Sequence, residues 1–175
     1  MKTRVYHLVT QVRQHLPKAY AYFASKKYFL KVPLGPNGTS LTLVAEGDEE
    51  MIQAGETFEL EIREDGEDIF LQVEPLEVHP NESYLAIMSF EGFRADSFTD
   101  EDISDMHEWF KSIFGNGIYI EARFHQIGDQ TIITENMYLS DRHRGRRIFW
   151  KLIGFLSKWT DKKLRRQIKR EVEAL

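Results

Sequence analysis

TFELEIREDGEDIFLQV, residues 57–73, is the stretch on which the reading of this chain turns. Asp65-Gly66 is a two-residue turn signal, and the residues on either side alternate apolar and polar with period two, so the segment reads as a β-hairpin. A turn at that point makes the numbers of paired residues sum to 131. Phe58 then stands opposite Val73, Leu60 opposite Leu71, Ile62 opposite Ile69, and Arg63 opposite Asp68. All six apolar partners fall on one face and an opposite-charge pair on the other, so turn chemistry and side-chain pattern agree. Glu59, Glu61 and Glu74 are expected on the outward face, where solvated carboxylates are the rule.

Downstream, Tyr84 to Phe90 reads as a short apolar strand. Thr99, with Asp102 three residues later, makes a capping-box pattern for a helix running to about Phe114. Asp100, Glu101 and Asp102 complement its positive end, and Gly115-Asn116-Gly117 ends it. A second long hairpin, 118–139, turns at Gly128-Asp129 and aligns Ile118, Ile120, Ala122 and Phe124 with Leu139, Met137 and Ile133. Glu135 falls on that same apolar face, opposite Ala122, and is the one discordant residue there: it lies near an edge or has a partner.

Upstream, Val5, Val9, Val12, Leu16, Ala19 and Phe23 recur at helical spacing, which predicts an N-terminal helix that Pro17 kinks or restarts. Lys27 to Leu34 reads as a strand, turned at residues 35–38 into a second strand from Ser40 to Ala45, giving a hairpin over 27–45. Residues 46–50 read as a loop or short helical turn. The sum is an α+β domain with an antiparallel sheet of about five to seven strands, packed against N-terminal, central and C-terminal helices.

The last part of the chain differs in composition. Before Ser140 there are 11 Lys and Arg against 24 carboxylates; from Ser140 on there are 12 against 4, so the two parts carry −13 and +8. Such asymmetry points to a surface that meets something anionic, either a partner or the body of the protein itself. Ile148, Leu152, Phe155, Leu156 and Trp159 form one helical stripe, while Leu164, Ile168, Val172 and Leu175 lie nearly opposite. Two helices divided about Thr160-Asp161 fit this pattern better than one rod. The domain boundaries read as 1–160 for the α+β body and 161–175 for a basic helical extension.

With 175 residues and 42% apolar content, the chain can bury one sizeable core. It has no cysteine, so disulfides, thiolate metal sites and cysteine nucleophiles are excluded. Polar residues interrupt the N-terminal stretch before any signal-peptide run develops. No window approaches the roughly 20 apolar residues that a bilayer span requires. A cytoplasmic location is the expectation.

For chemistry, the six histidines include no His-x-x-x-His pair, no serine sits in a nucleophile-elbow pattern, and the Gly-rich turns lack the spacing of phosphate loops. No catalytic, cofactor or metal site is expected, and an enzyme would need a pocket that assembles dispersed residues such as Arg123, His125 and Glu135. His107 reads as a residue at the edge of the core. The candidate anion or partner site is basic: Arg142, Arg144, Arg146 and Arg147 at a helix start, then Lys162, Lys163, Arg165, Arg166, Lys169 and Arg170, with Trp150 and Trp159 as aromatic contacts. Guanidinium groups beside free helix amides suit carboxylate or phosphate. The function expected from this is that of a non-enzymatic regulatory or adaptor protein docking an acidic protein partner. The alternatives are nucleic acid held by the same residues and the surface of an anionic membrane. Edge strands leave homo-oligomerisation open.

Overall fold

In a computed structural model the 57–73 hairpin forms in the expected register, with Phe58 opposite Val73, Leu60 opposite Leu71 and Ile62 opposite Ile69. The structure describes residues 3–29, 41–43, 50–64, 67–95, 98–139, 148 and 165–175. Their strands are β1 (Thr3–Val12), β2 (Leu41–Leu43), β3 (Phe58–Glu64), β4 (Glu67–His79), β5 (Ser83–Ala95), β6 (Ile118–Ile127) and β7 (Gln130–Leu139). They make one antiparallel sheet in the order β1-β7-β6-β5-β4-β3-β2, so the protein is an α+β fold.

One face of this sheet is covered. Helices α1 (Leu16–Phe23), α2 (Lys26–Phe29) and α3 (Asp100–Phe114) and the helix at 165–173 supply its cover among the described residues. Phe23 meets Phe124 of β6, Phe29 meets Phe58 of β3 and Tyr84 of β5, and Phe110 stacks on Phe90 of β5 at 5.0 Å. Ile168 and Val172 join the same core, at 6% and 0% exposure, so the end of the chain is anchored. No helix among the described residues is long and apolar enough to cross a membrane.

The N-terminal helix expected from Val5 onward is in fact a strand followed by a helix. Val5, Tyr6, Val9, Thr10 and Val12 are β-branched or aromatic, and such side chains keep more freedom on a pleated surface than in a helix. Thr10 and Val12 are buried and Val9 and Gln11 exposed, which is the two-residue period of a strand. Pro17 stands in the first turn of α1, where its missing donor costs nothing.

The 27–45 hairpin is corrected in a similar way. Lys27 to Phe29 are helical, residues 30–34 lie outside the described residues, and β2 pairs with β3. A helical turn lets the consecutive Tyr28 and Phe29 both enter the core, which a strand would send to opposite faces. Lys26 is buried as well, with its ammonium 2.9 Å from Glu50.

Strand β4 outruns the expected end near Val73 because the register shifts between Pro75 and Glu77. A bulge is where a sheet tolerates a residue that lacks an N–H. Strand β5 is likewise longer than 84–90, pairing with β4 as far as Ala95.

The capping box of α3 forms as the sequence indicates. Thr99 Oγ1 accepts from the Asp102 amide at 3.3 Å, and the Asp102 carboxylate accepts from the Thr99 amide at 3.0 Å. Thr99→Ala is therefore expected to cost about 1 kcal/mol, read as a lower midpoint in urea with an unchanged slope. Behind α3, Gly117 has φ +98, and a Cβ there would stand 2.7 Å from the Ile87 side chain, so no other residue fits.

Candidate functional site

Part of the expected basic site lies outside the described residues: Arg142, Arg144, Arg146, Arg147, Lys162 and Lys163, together with Trp150 and Trp159. Arg165, Arg166, Lys169 and Arg170 belong to the helix at 165–173. Ile168 and Val172, four residues apart, bury one side of that helix. Arg166, Lys169 and Arg170, spaced three and four apart, occupy the opposite side and are exposed. Lys169 lies 3.7 Å from Glu173 on its own helix. Arg166 and Arg170 make no ion pair with any described residue. Arg165 is half-buried beside the core.

Several contacts hold this helix in place. Tyr22 of α1 donates to Glu171 at 2.6 Å, the Arg13 amide donates to Glu173 at 2.8 Å, and Gln14 donates to the Val172 carbonyl at 3.3 Å. Lys18 Nζ donates to the Leu175 carbonyl at 2.6 Å. Burial, and then the Glu171 carboxylate, push the Tyr22 phenol far above its ordinary pKa, so it stays a donor. Glu171 and Glu173 thus reach the body, while Arg166, Lys169 and Arg170 are exposed on the outer side.

The open face of the sheet carries a second polar group of residues. Glu121 of β6 accepts from Arg123 at 2.6 Å, from Tyr138 at 2.9 Å and from Asn136 at 3.1 Å, and Asn136 Oδ1 faces His7 Nδ1 at 2.8 Å. Burial alone would raise the Glu121 pKa, but the hydrogen bonds from Arg123, Tyr138 and Asn136 outweigh it and hold the carboxyl below its usual range. Because that carboxylate can only accept, the Asn136 amide nitrogen must face it, which leaves Oδ1 to accept a hydrogen bond from His7 Nδ1. At the far end of the same face, Arg94 binds Asp68 at 2.8 Å and lies 4.0 Å from Glu61, with its guanidinium over the Phe70 ring. Glu61, although on the outward face, is only 8% exposed.

Glu135 lies on the covered face, 8% exposed, where it accepts from Tyr28 at 2.7 Å. It is partnered, as one of its two sequence readings required. Arg123 and His125 project from the open face and Glu135 from the covered one, so the sheet itself separates these three. They do not assemble one site. Tyr84 and Tyr20 add buried phenols to the covered face, and neither hydroxyl has a hydrogen-bond partner among the described residues. Sequence reading passed over Tyr20, Tyr28 and Tyr84, since a tyrosine within an apolar pattern is ordinary core. The available signal was Glu135, whose misfit demanded a donor close by. His107 sits half-buried with its ring edge-on to Phe90 at 5.0 Å, at the border of the core. Among the described residues no group of three or more His, Asp or Glu is placed to hold a metal ion.

The sequence matches no family model and no curated protein. In backbone the chain is similar to a protein of Staphylococcus epidermidis solved by NMR, with a TM-score of 0.59 at 11% identity over 98% of this chain and 93% of that one. It is also similar to Ara h 8.0201, with a TM-score of 0.57 at 12% identity over 100% of both chains. Protein Ms6760 of Mycobacterium smegmatis gives 0.58 at 13% identity, over 96% of this chain and 90% of that one. At such identities the likeness shows the fold alone.

Proposed function

We propose that this chain is a non-enzymatic regulatory or adaptor protein of the cytoplasm that docks an acidic protein partner through its basic C-terminal segment. The observation that carries the reading is the pair Arg166 and Arg170, exposed on the outer side of an anchored helix and without an ion pair among the described residues. Guanidinium groups held by a docked helix lose little further freedom on meeting a carboxylate, and they bind it bidentately. The −13 of the preceding residues favours a compact acidic surface over a nucleic acid, because a long polyanion would also run past the acidic body.

Deleting residues 165–175 is the wrong test, since it would remove Ile168 and Val172 from the core. Charge reversal on the outer side is the right one. Fluorescence anisotropy would follow a labelled oligoglutamate peptide, a single-stranded oligonucleotide of equal charge, and the protein mixed with phosphatidylserine vesicles. The peptide is expected to bind best, and R166E/R170E to weaken it by roughly tenfold without lowering the melting temperature. Peptide binding that is indifferent to the double reversal, or tighter binding of the oligonucleotide or the vesicles, would overturn the proposal.

A further inference from the structure

Helix α3 turns Met106, Phe110 and Ile113 to the core, so its opposite face is left to the solvent. Glu101, Asp105, Glu108 and Ser112, spaced four, three and four apart, fall together on that face, and all four are exposed. Trp109 flanks the row and is 52% exposed, its ring edge-on to Phe110 at 5.0 Å. Glu101, Asp105 and Glu108 make no ion pair with any described residue. Trp and Arg are the residues that the centres of protein interfaces concentrate, and here the tryptophan stands among carboxylates that lack a cation.

A surface of matching chemistry is carried by the same chain. Arg166, Lys169 and Arg170 set cations along the outer side of the helix at 165–173, at the same helical spacing as the carboxylates of α3. A guanidinium meets a carboxylate in a fork and an indole on its ring face, and α3 offers both within one turn. The chain's own basic helix is held elsewhere. Helix α3 ends just before β6 begins at Ile118, whereas Arg13 and Gln14, which hold the basic helix, lie beside Gln126 and Thr131 at the other end of that strand. The eight residues of β6 from Ile118 to Gln126 span about 27 Å. The basic helix that fits α3 is therefore that of a second copy. In a two-fold pair the contact is made twice, which matters because one exposed ion pair contributes little by itself.

We infer that two copies of this chain associate, the α3 face around Asp105, Glu108 and Trp109 of each receiving Arg166 and Arg170 of the other. The inference rests on the docking role proposed for the basic helix and names its acidic partner as the α3 of this same protein. Sedimentation equilibrium of the full chain at low and high salt is the test. Association is expected at low salt and should weaken as salt is added. D105K/E108K and R166E/R170E should each weaken it by roughly tenfold, and Trp109→Ala by a similar factor. An equimolar mixture of the two charge-reversed proteins should associate about as tightly as the wild type, because opposite charges then meet at both contacts. A variant that merely failed to fold would give no such rescue. The inference is overturned if the wild type stays monomeric at low salt, or if the mixture associates no better than either variant alone. D105K/E108K keeps the basic helix and should bind the oligoglutamate peptide as the wild type does. A monomeric wild type that still binds this peptide through Arg166 and Arg170 would sink this inference and leave the docking role standing, whereas peptide binding indifferent to R166E/R170E would sink both.

Discussion

Val172→Asp is expected to undock the C-terminal helix and remove most of the stability of the domain. Val172 is fully buried, on the side of the helix that faces α1 and the sheet. The substitution forfeits about 1.5–3 kcal/mol of apolar burial and places a carboxylate within an apolar core, at a further cost of several kcal/mol. Together these exceed about 4 kcal/mol, against the roughly 5–15 kcal/mol by which a domain is usually stable. The chain's relief would be to release residues 165–175, breaking the Tyr22–Glu171, Arg13–Glu173 and Gln14–Val172 hydrogen bonds together. Urea unfolding should show a large fall in midpoint, and amide exchange should show lost protection in α1 as well as in the tail. R166E/R170E, on the other side of the same helix, should unfold with the wild type, since exposed substitutions usually stay within about 0.5 kcal/mol. A small effect of Val172→Asp would mean that the helix is not part of the core and that Arg166 and Arg170 are not held in a fixed position.

What could be read in the sequence follows from how local each determinant is. Both long hairpins appear in the expected register because the turn and the alternation lie within a few residues of each other. Ile118 opposite Leu139 and Ala122 opposite Glu135 were fixed once the turn was placed at Gly128-Asp129. The cap of α3 was legible for the same reason. Residues 5–12 misled because valines spaced four and three apart satisfy a helical stripe, while β-branched preference and the edge pairing with β7 decide otherwise. Lys27 to Phe29 misled because β-rich composition was overridden by a distant demand, the core's need for Tyr28 beside Glu135, 107 residues away. The basic character of the C-terminal segment was legible as composition. Its division into an inward acidic side and an outward basic side was not, because that depends on where α1 stands.

Alkaline pH is expected to unfold this protein steeply, through the same buried phenols. Burial first, then the Glu135 charge, raises Tyr28 and Tyr84 well above the ordinary value of 10.0. Below that value both states keep these protons, and stability does not depend on them. As pH climbs past it, the unfolded chain gives up its phenolic protons while the folded one retains those of Tyr28 and Tyr84. The folded state then binds more protons, so each further pH unit removes stability until the folded pKa is reached. Each residue contributes about 1.4 kcal/mol per pH unit, and the pair about 2.7. Urea midpoints taken from about pH 9 to about pH 11 should fall accordingly, with tyrosinate absorbance appearing at unfolding and not before it. The two hydroxyls separate at neutral pH. Tyr28→Phe takes a donor from the buried Glu135 and should cost about 1–3 kcal/mol, whereas Tyr84→Phe removes an oxygen without a partner among the described residues and should be neutral or stabilising. Both substitutions should flatten the alkaline slope. A slope unchanged in the double variant would show that other groups carry the alkaline transition, and that neither phenol is held protonated by its surroundings.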